Sequence, residues 1–155
     1  MAVHQYMLGR ELPCTVLDLL RIRPTTLAGA THDALVQQVE AQKAYPDVLY
    51  KLGVSHLARQ ELGLARRSLE EAVNKKPDYI AARVALAAVC DLLAQHSDAV
   101  DQIDAVIALE VDNKNTSANS VSKYFLFCAA GFCLERCGNT GTAVFRYEQD
   151  RKSVV

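Results

Sequence analysis

The sequence predicts an all-α fold built from three stacked helical hairpins behind N-terminal capping helices, and three observations lead there. Pro and Gly are sparse, at 4 and 7 of 155 residues. Apolar residues recur at three- and four-residue steps, and no stretch alternates as a half-buried strand would. Small residues return at fixed places among larger apolar ones, as in "LGVSHLARQELGLARRSLEEAVNKKPDY" from Leu52 to Tyr79. One amphipathic helix needs only an apolar stripe, so small residues at regulated positions mean two helices pressed together. Half the residues are apolar, enough at this length for one domain with its own core.

Residues 1–45 read as an N-terminal helical cap or a degenerate repeat, with one short helix in "PCTVLDLLRIR" and another in "THDALVQQVEAQKA", where Thr31 is the expected N-cap. Residues 46–79 give the first hairpin. Its helices run from Pro46 to Ala58, through Val48, Leu49, Leu52, Val54 and Leu57, and from Leu62 to Lys75, through Ala65, Leu69, Ala72 and Val73. Lys75 and Lys76 suit the negative pole of the second helix, and Pro77 ends it. Residues 80–113 repeat the plan, with one helix over Asp78–Ala94 and a second capped by Ser97. The polar stretch 114–123 is an insertion. Residues 124–155 form the third hairpin, Tyr124–Cys137 and Thr140–Arg151, broken at Gly138 and Asn139.

Overlaying the hairpins sets Gly53 on Ala87 and Ala87 on Gly131, steps of 34 and 44 residues, and carries Ala65 onto Ala99, Leu69 onto Ile103 and Ala72 onto Val106. A period near 34 with a small, large, small second helix resembles the tetratricopeptide repeat. The first hairpin supplies Leu49, Leu52, Gly53, His56, Ala65, Leu69, Ala72 and Pro77 to that pattern. The second departs from it at Arg83 and Val111, and the third supplies Phe127, Ala130, Gly131, Leu134, Gly138, Ala143 and Tyr147. The resemblance implies a right-handed superhelix with a concave side, because one hairpin cannot bury both faces and must stack on its neighbours.

The same resemblance implies that the first helix of each hairpin lines a groove. The lining is then Tyr50, Val54 and Leu57 from the first, Val84, Ala88 and Asp91 from the second, and Phe125, Cys128, Phe132 and Glu135 from the third. This wall is mainly apolar, and Tyr50 and Val54 stand where carboxylate-clamping relatives carry polar groups. It suits an amphipathic helix or an extended apolar peptide, with Tyr50 and Phe132 as anchors. Two alternatives stay open: a scaffold that self-assembles through open repeat ends, and a small secretion-type chaperone for apolar client segments. The protein's own N-terminal helices filling the groove is the plainer possibility.

Other functions find little support. A net charge of −1, from 17 basic and 18 acidic residues in mixture, gives no field to collect nucleic acid. No window resembles an export signal or a membrane span, so a cytoplasmic protein is expected, with no membrane insertion. Asn115-Thr116-Ser117 matches a glycosylation acceptor by chance alone. The five cysteines, an odd number, argue against a disulfide framework. Cys128, Cys133 and Cys137 lack close-paired spacing and a fourth ligand, so packing is expected and no metal or cofactor. His56 is expected as a packed, hydrogen-bonded imidazole, and His4, His32 and His96 as exposed. No nucleophile and base stand at catalytic spacing, and no enzyme is expected.

Overall fold

Helix formation follows the apolar period almost residue for residue. A computed structural model describes residues 31–41, 45–112 and 123–153, and these carry seven helices and no strand. They are α1 (Thr31–Ala41), α2 (Pro46–Ala58), α3 (Leu62–Lys75), α4 (Ile80–Leu92), α5 (His96–Asp112), α6 (Lys123–Arg136) and α7 (Thr140–Ser153). The expected helix in "PCTVLDLLRIR" and nearly all of the insertion lie outside the described residues, as does His4.

Helices α2 with α3, α4 with α5, and α6 with α7 pack as antiparallel pairs. Each pair rests on the next through α3 against α4 and α5 against α6, while α1 lies on α2. The middle hairpin is covered from both sides. Along α4 the run Val84 to Asp91 is buried without interruption, which explains why its sequence is rich in alanine: a helix enclosed all round has room only for short side chains at its contacts. The shared core joins Leu49, Leu69, Val89, Ile103 and Leu126, each almost wholly buried.

Close approach within the pairs is visible at two glycines. A Cβ at Gly53 would lie 2.6 Å from Leu69 Cγ and 2.8 Å from its Cδ2, with the Ala65 carbonyl oxygen at 3.4 Å. One at Gly131 would lie 2.6 Å from the Tyr147 ring. Ala65, Ala87, Ala99 and Ala143 are all fully buried. The large residue one turn beyond each small one, Leu69 or Tyr147, is therefore what fills the space that glycine leaves.

The turns inside the hairpins are the same turn made three times. Gln60, Ala94 and Gly138 take left-handed φ values of 65°, 59° and 78°. After each, a backbone N–H reaches back five residues: Glu61 donates to the His56 carbonyl (2.9 Å), Gln95 to Cys90 (2.8 Å) and Asn139 to Leu134 (2.9 Å). The same three residues then accept the first bond of the next helix, from Ala65, Ala99 and Ala143. This αL ending satisfies the orphan carbonyls of one helix and starts the next within three residues. Only Gly138 adopts it without steric cost.

Two sequence expectations change here. Ser97 is not the cap of α5, because the helix begins at His96 and Gln95 accepts its first bond. His32 and His96 are not exposed: His32 is buried against α2, and the His96 side chain keeps 13% of its surface. Both turn inward because polar partners wait there, Ser55 for one and Asp91 for the other. Arg83, the departure from the repeat pattern, donates to the Pro77 carbonyl (2.7 Å) and to Gln102 (2.9 Å).

Gly53→Ala is expected to cost about 1–3 kcal/mol, because Leu69 is enclosed and cannot yield. Gly63→Ala, with nothing within 4 Å of the added Cβ, should leave stability unchanged or raise it by up to about 1 kcal/mol. Urea unfolding of the two variants side by side measures the difference. Ala94→Gly removes a left-handed Cβ and should stabilise by about 0.5–1 kcal/mol in the same assay.

Candidate functional site

The first helices α2, α4 and α6 carry every residue that the sequence assigns to the groove, and the structure sorts those residues by depth. Val54, Leu57, Val84, Ala88, Asp91 and Cys128 are buried. Tyr50, Phe132 and Glu135 are half-buried, and the Phe125 side chain lies outside the described residues. Among the expected groove residues the accessible side chains are thus Tyr50, Phe132 and Glu135.

Each of the three is held by a neighbour. The Tyr50 ring packs at 5.4 Å and 55° against Tyr79, and burial pushes its phenol pKa upward. Lys76 Nζ sits 5.1 Å over the Tyr79 ring, so a cation and two phenols lie together at the end of the first hairpin. Glu135 reaches Tyr147, whose own phenol is raised by burial first and by this carboxylate second. Over Phe132 lies the guanidinium of Arg136, 5.4 Å from the ring centre.

Arg136 is fixed from below by an unusual residue. Asp91 leaves only 1% of its side chain accessible, near the C-terminal end of α4, where the helix dipole disfavours a carboxylate. Three groups offset that burial. Arg136 Nη1 donates to Oδ2 at 3.3 Å and to Oδ1 at 3.4 Å, His96 Nδ1 lies 2.9 Å from Oδ1, and the Cys133 thiol lies 3.8 Å from it. A buried carboxylate needs such partners, since an unpaired charge in the interior costs several kcal/mol. Asp91 therefore ties α4, α5 and α6 together and orients a half-exposed arginine across an aromatic face. The sequence signal for this was a single acid inside an apolar run, which the groove assignment included without foreseeing its partners.

A second concavity lies between α3 and α5, floored by Leu86 and Cys90 of α4. Its charges answer one another: Arg66 donates to Glu70 at 2.6 Å and to Asp98 at 3.3 Å, and also meets Gln95. The expected packing holds for Cys90, Cys128 and Cys133 and fails at Cys137, which lies exposed just past the end of the third hairpin's first helix. No disulfide joins the described Cys90, Cys128, Cys133 and Cys137; the first three are buried and Cys137 is exposed. Burial raises the Cys90 thiol to about 11 and pushes Cys133 up as well, so neither forms a thiolate readily near neutral pH. Among the described residues no helix is long and apolar enough to cross a membrane.

Comparison with known proteins bears on the fold. No family model and no curated protein matches the chain. Solved structures of MamA do match by shape. One MamA crystal structure has a TM-score of 0.69 at 18% identity over 88% of this chain and 72% of that one, and a second 0.68 at 18% over 90% and 78%. A MamA structure from AMB-1 has 0.67 at 19% identity over 88% and 70%. The chain shares with them a tetratricopeptide-like helical-repeat fold; at such identity the likeness is one of fold.

Asp91→Ala should destabilise by about 2–3 kcal/mol, less than a fully buried pair would lose because Arg136 can rehydrate, and chemical denaturation measures it. Alkylation at pH 8 followed by peptide mapping should label Cys137 in the native protein and leave Cys90 and Cys133 untouched until denaturant is added.

Proposed function

We propose that the chain is a non-catalytic protein-interaction scaffold that takes a peptide or an amphipathic helix of a partner at the accessible Tyr50, Phe132 and Glu135 of its first helices. The observation that carries this reading is the Phe132 and Arg136 pair, an aromatic face and a guanidinium held in one orientation by a buried carboxylate. Rigid aromatic and arginine groups anchor interfaces because they offer large contact area and directional charge with little left to order on binding. Tyr50 and Tyr79 provide a second aromatic point on the first hairpin. The helical-repeat fold shared with MamA supports the reading at the level of architecture, since such arrays present extended surfaces.

A second reading, self-assembly, draws on a different observation. Helix α7 presents Val144 and Phe145 outward, Phe145 with 57% of its surface accessible. Apolar side chains at the face of the third hairpin offer another copy of the chain a place to stack.

Paired variants separate the two. Tyr50→Ala with Phe132→Ala should abolish recovery of partner proteins by immobilised chain while helicity by circular dichroism is retained. Val144→Ser with Phe145→Ser should leave that recovery intact and lower any concentration-dependent mass seen by light scattering. Recovery unchanged in the first pair would defeat the groove reading.

A further inference from the structure

Two imidazoles and a carboxylate converge where the start of α1 meets the end of α2 and the turn after it. His32 of α1 and His56 of α2 are both buried, and their rings meet edge to face with centroids 4.8 Å apart and planes at 80°. His32 Nδ1 lies 2.9 Å from the hydroxyl of Ser55, itself buried. His56 Nδ1 lies 2.6 Å from Glu61 Oε2, and a carboxylate can only accept, so this nitrogen carries the proton. Glu61 also accepts from Arg59 Nε through its other oxygen at 3.1 Å. One ligand atom from each of His32, His56 and Glu61 lies within 4.8 Å of the others.

We propose that His32, His56 and Glu61 form a binding site for a divalent transition-metal ion of the zinc class, with water completing its coordination. Two imidazole nitrogens and one carboxylate oxygen suit a borderline cation and are poorly matched to calcium or magnesium, which prefer all-oxygen shells. Ligands on a tetrahedral zinc stand roughly 3.3 Å apart, given metal–ligand distances near 2.0–2.2 Å, so the set must draw in slightly as the ion enters. Glu61 is the ligand that can move. It sits in the turn after α2 and keeps 34% of its side chain accessible, which provides both an access route and room for water. His32 is already oriented by Ser55, whereas His56 must give up its Nδ1–H bond to Glu61 as the ion enters, the ring taking its Nε2–H tautomer by exchange with solvent so that Nδ1 and the freed carboxylate oxygen can both ligate.

Metal binding here joins segments that are distant in sequence. α1 is held to the described array through α2, and a metal held by His32, His56 and Glu61 fastens α1 to the first hairpin at its turn. Both Glu61 oxygens have internal competitors, His56 Nδ1 on Oε2 at 2.6 Å and the more exposed Arg59 Nε on Oε1 at 3.1 Å.

The test uses the full chain, stripped with chelator, kept reduced and titrated with Zn(II) by calorimetry and with Co(II) by visible absorption. One equivalent should bind, with cobalt ligand-field bands of a low-coordinate site and no sulfur-to-cobalt charge-transfer band, which separates this site from the cysteines. Glu61→Gln should weaken binding about tenfold or more and His32→Gln likewise, while Arg59→Ala should tighten it. Glu61 and Arg59 stand on an accessible turn, so those variants keep the question open to refutation even if His32→Gln disturbs folding. Absence of saturable binding, a thiolate charge-transfer band as the whole signal, or equal affinity in Glu61→Gln would each overturn the site.

Discussion

The structure depends on how closely two helices of a hairpin can come together. At Gly53 and Gly131 no side chain fits, because Leu69 and Tyr147 already occupy the volume where a Cβ would stand. Helix axes near 8–10 Å apart are reached only where contact residues are small, and from that distance the ridges of one helix enter the grooves of the other. A hairpin closed in this way still has one apolar flank. It must bury that flank on the next hairpin, and α4, enclosed along the whole of Val84 to Asp91, shows the outcome for the hairpin in the middle.

The turn is the second half of the same constraint. Three residues connect each pair of helices, and all three turns use one left-handed residue, one backward bond of five residues and one shared acceptor. A short link with fixed geometry sets the angle between the helices, so the close approach and the turn determine each other. Gln60 and Ala94 accept a conformation unfavourable to their side chains because leaving it would pull Ala65 or Ala99 away from the contact. The repeat is thus more regular in its backbone than in its residues.

This difference marks what could be read from the chain. The 34-residue step, the hairpins and the small contact residues were legible because each follows from spacing along one helix. The ends of α2, α3, α4, α6 and α7 fell within two residues of those expected. The left-handed turns were legible at Gly138 and hidden at Gln60 and Ala94, where no glycine announces them. His32 and His96 were misplaced because their local surroundings are polar, whereas their partners, Ser55 and Asp91, come from other helices and are supplied by folding alone. The depth of the groove residues was equally beyond a single-helix view. Val54, Val84 and Ala88 are all buried, and what covers a helix face is decided by the elements packed over it.

The polar contacts between hairpins then have a role that apolar packing cannot fill. A stack of alanine, valine and leucine surfaces tolerates sliding, since aliphatic contacts are weakly directional and many offsets bury similar area. The charged pairs do not. Asp91 meets Arg136 of the next hairpin at 3.3 Å, Arg66 meets Asp98 at 3.3 Å, and Arg146 meets Asp104 at 2.6 Å, so both junctions carry at least one such tie. In the last two both side chains keep a quarter or more of their surface accessible, so they contribute little to stability by themselves. Their effect is on register: a slip of one helical turn at the second junction would strand the Asp91 carboxylate in the core without its guanidinium, an arrangement the interior disfavours strongly. A chain whose repeats differ in sequence therefore still stacks at a single offset. That fixed offset is also what sets Arg136 over Phe132, so the same buried acid that specifies the stack orients the surface the stack presents.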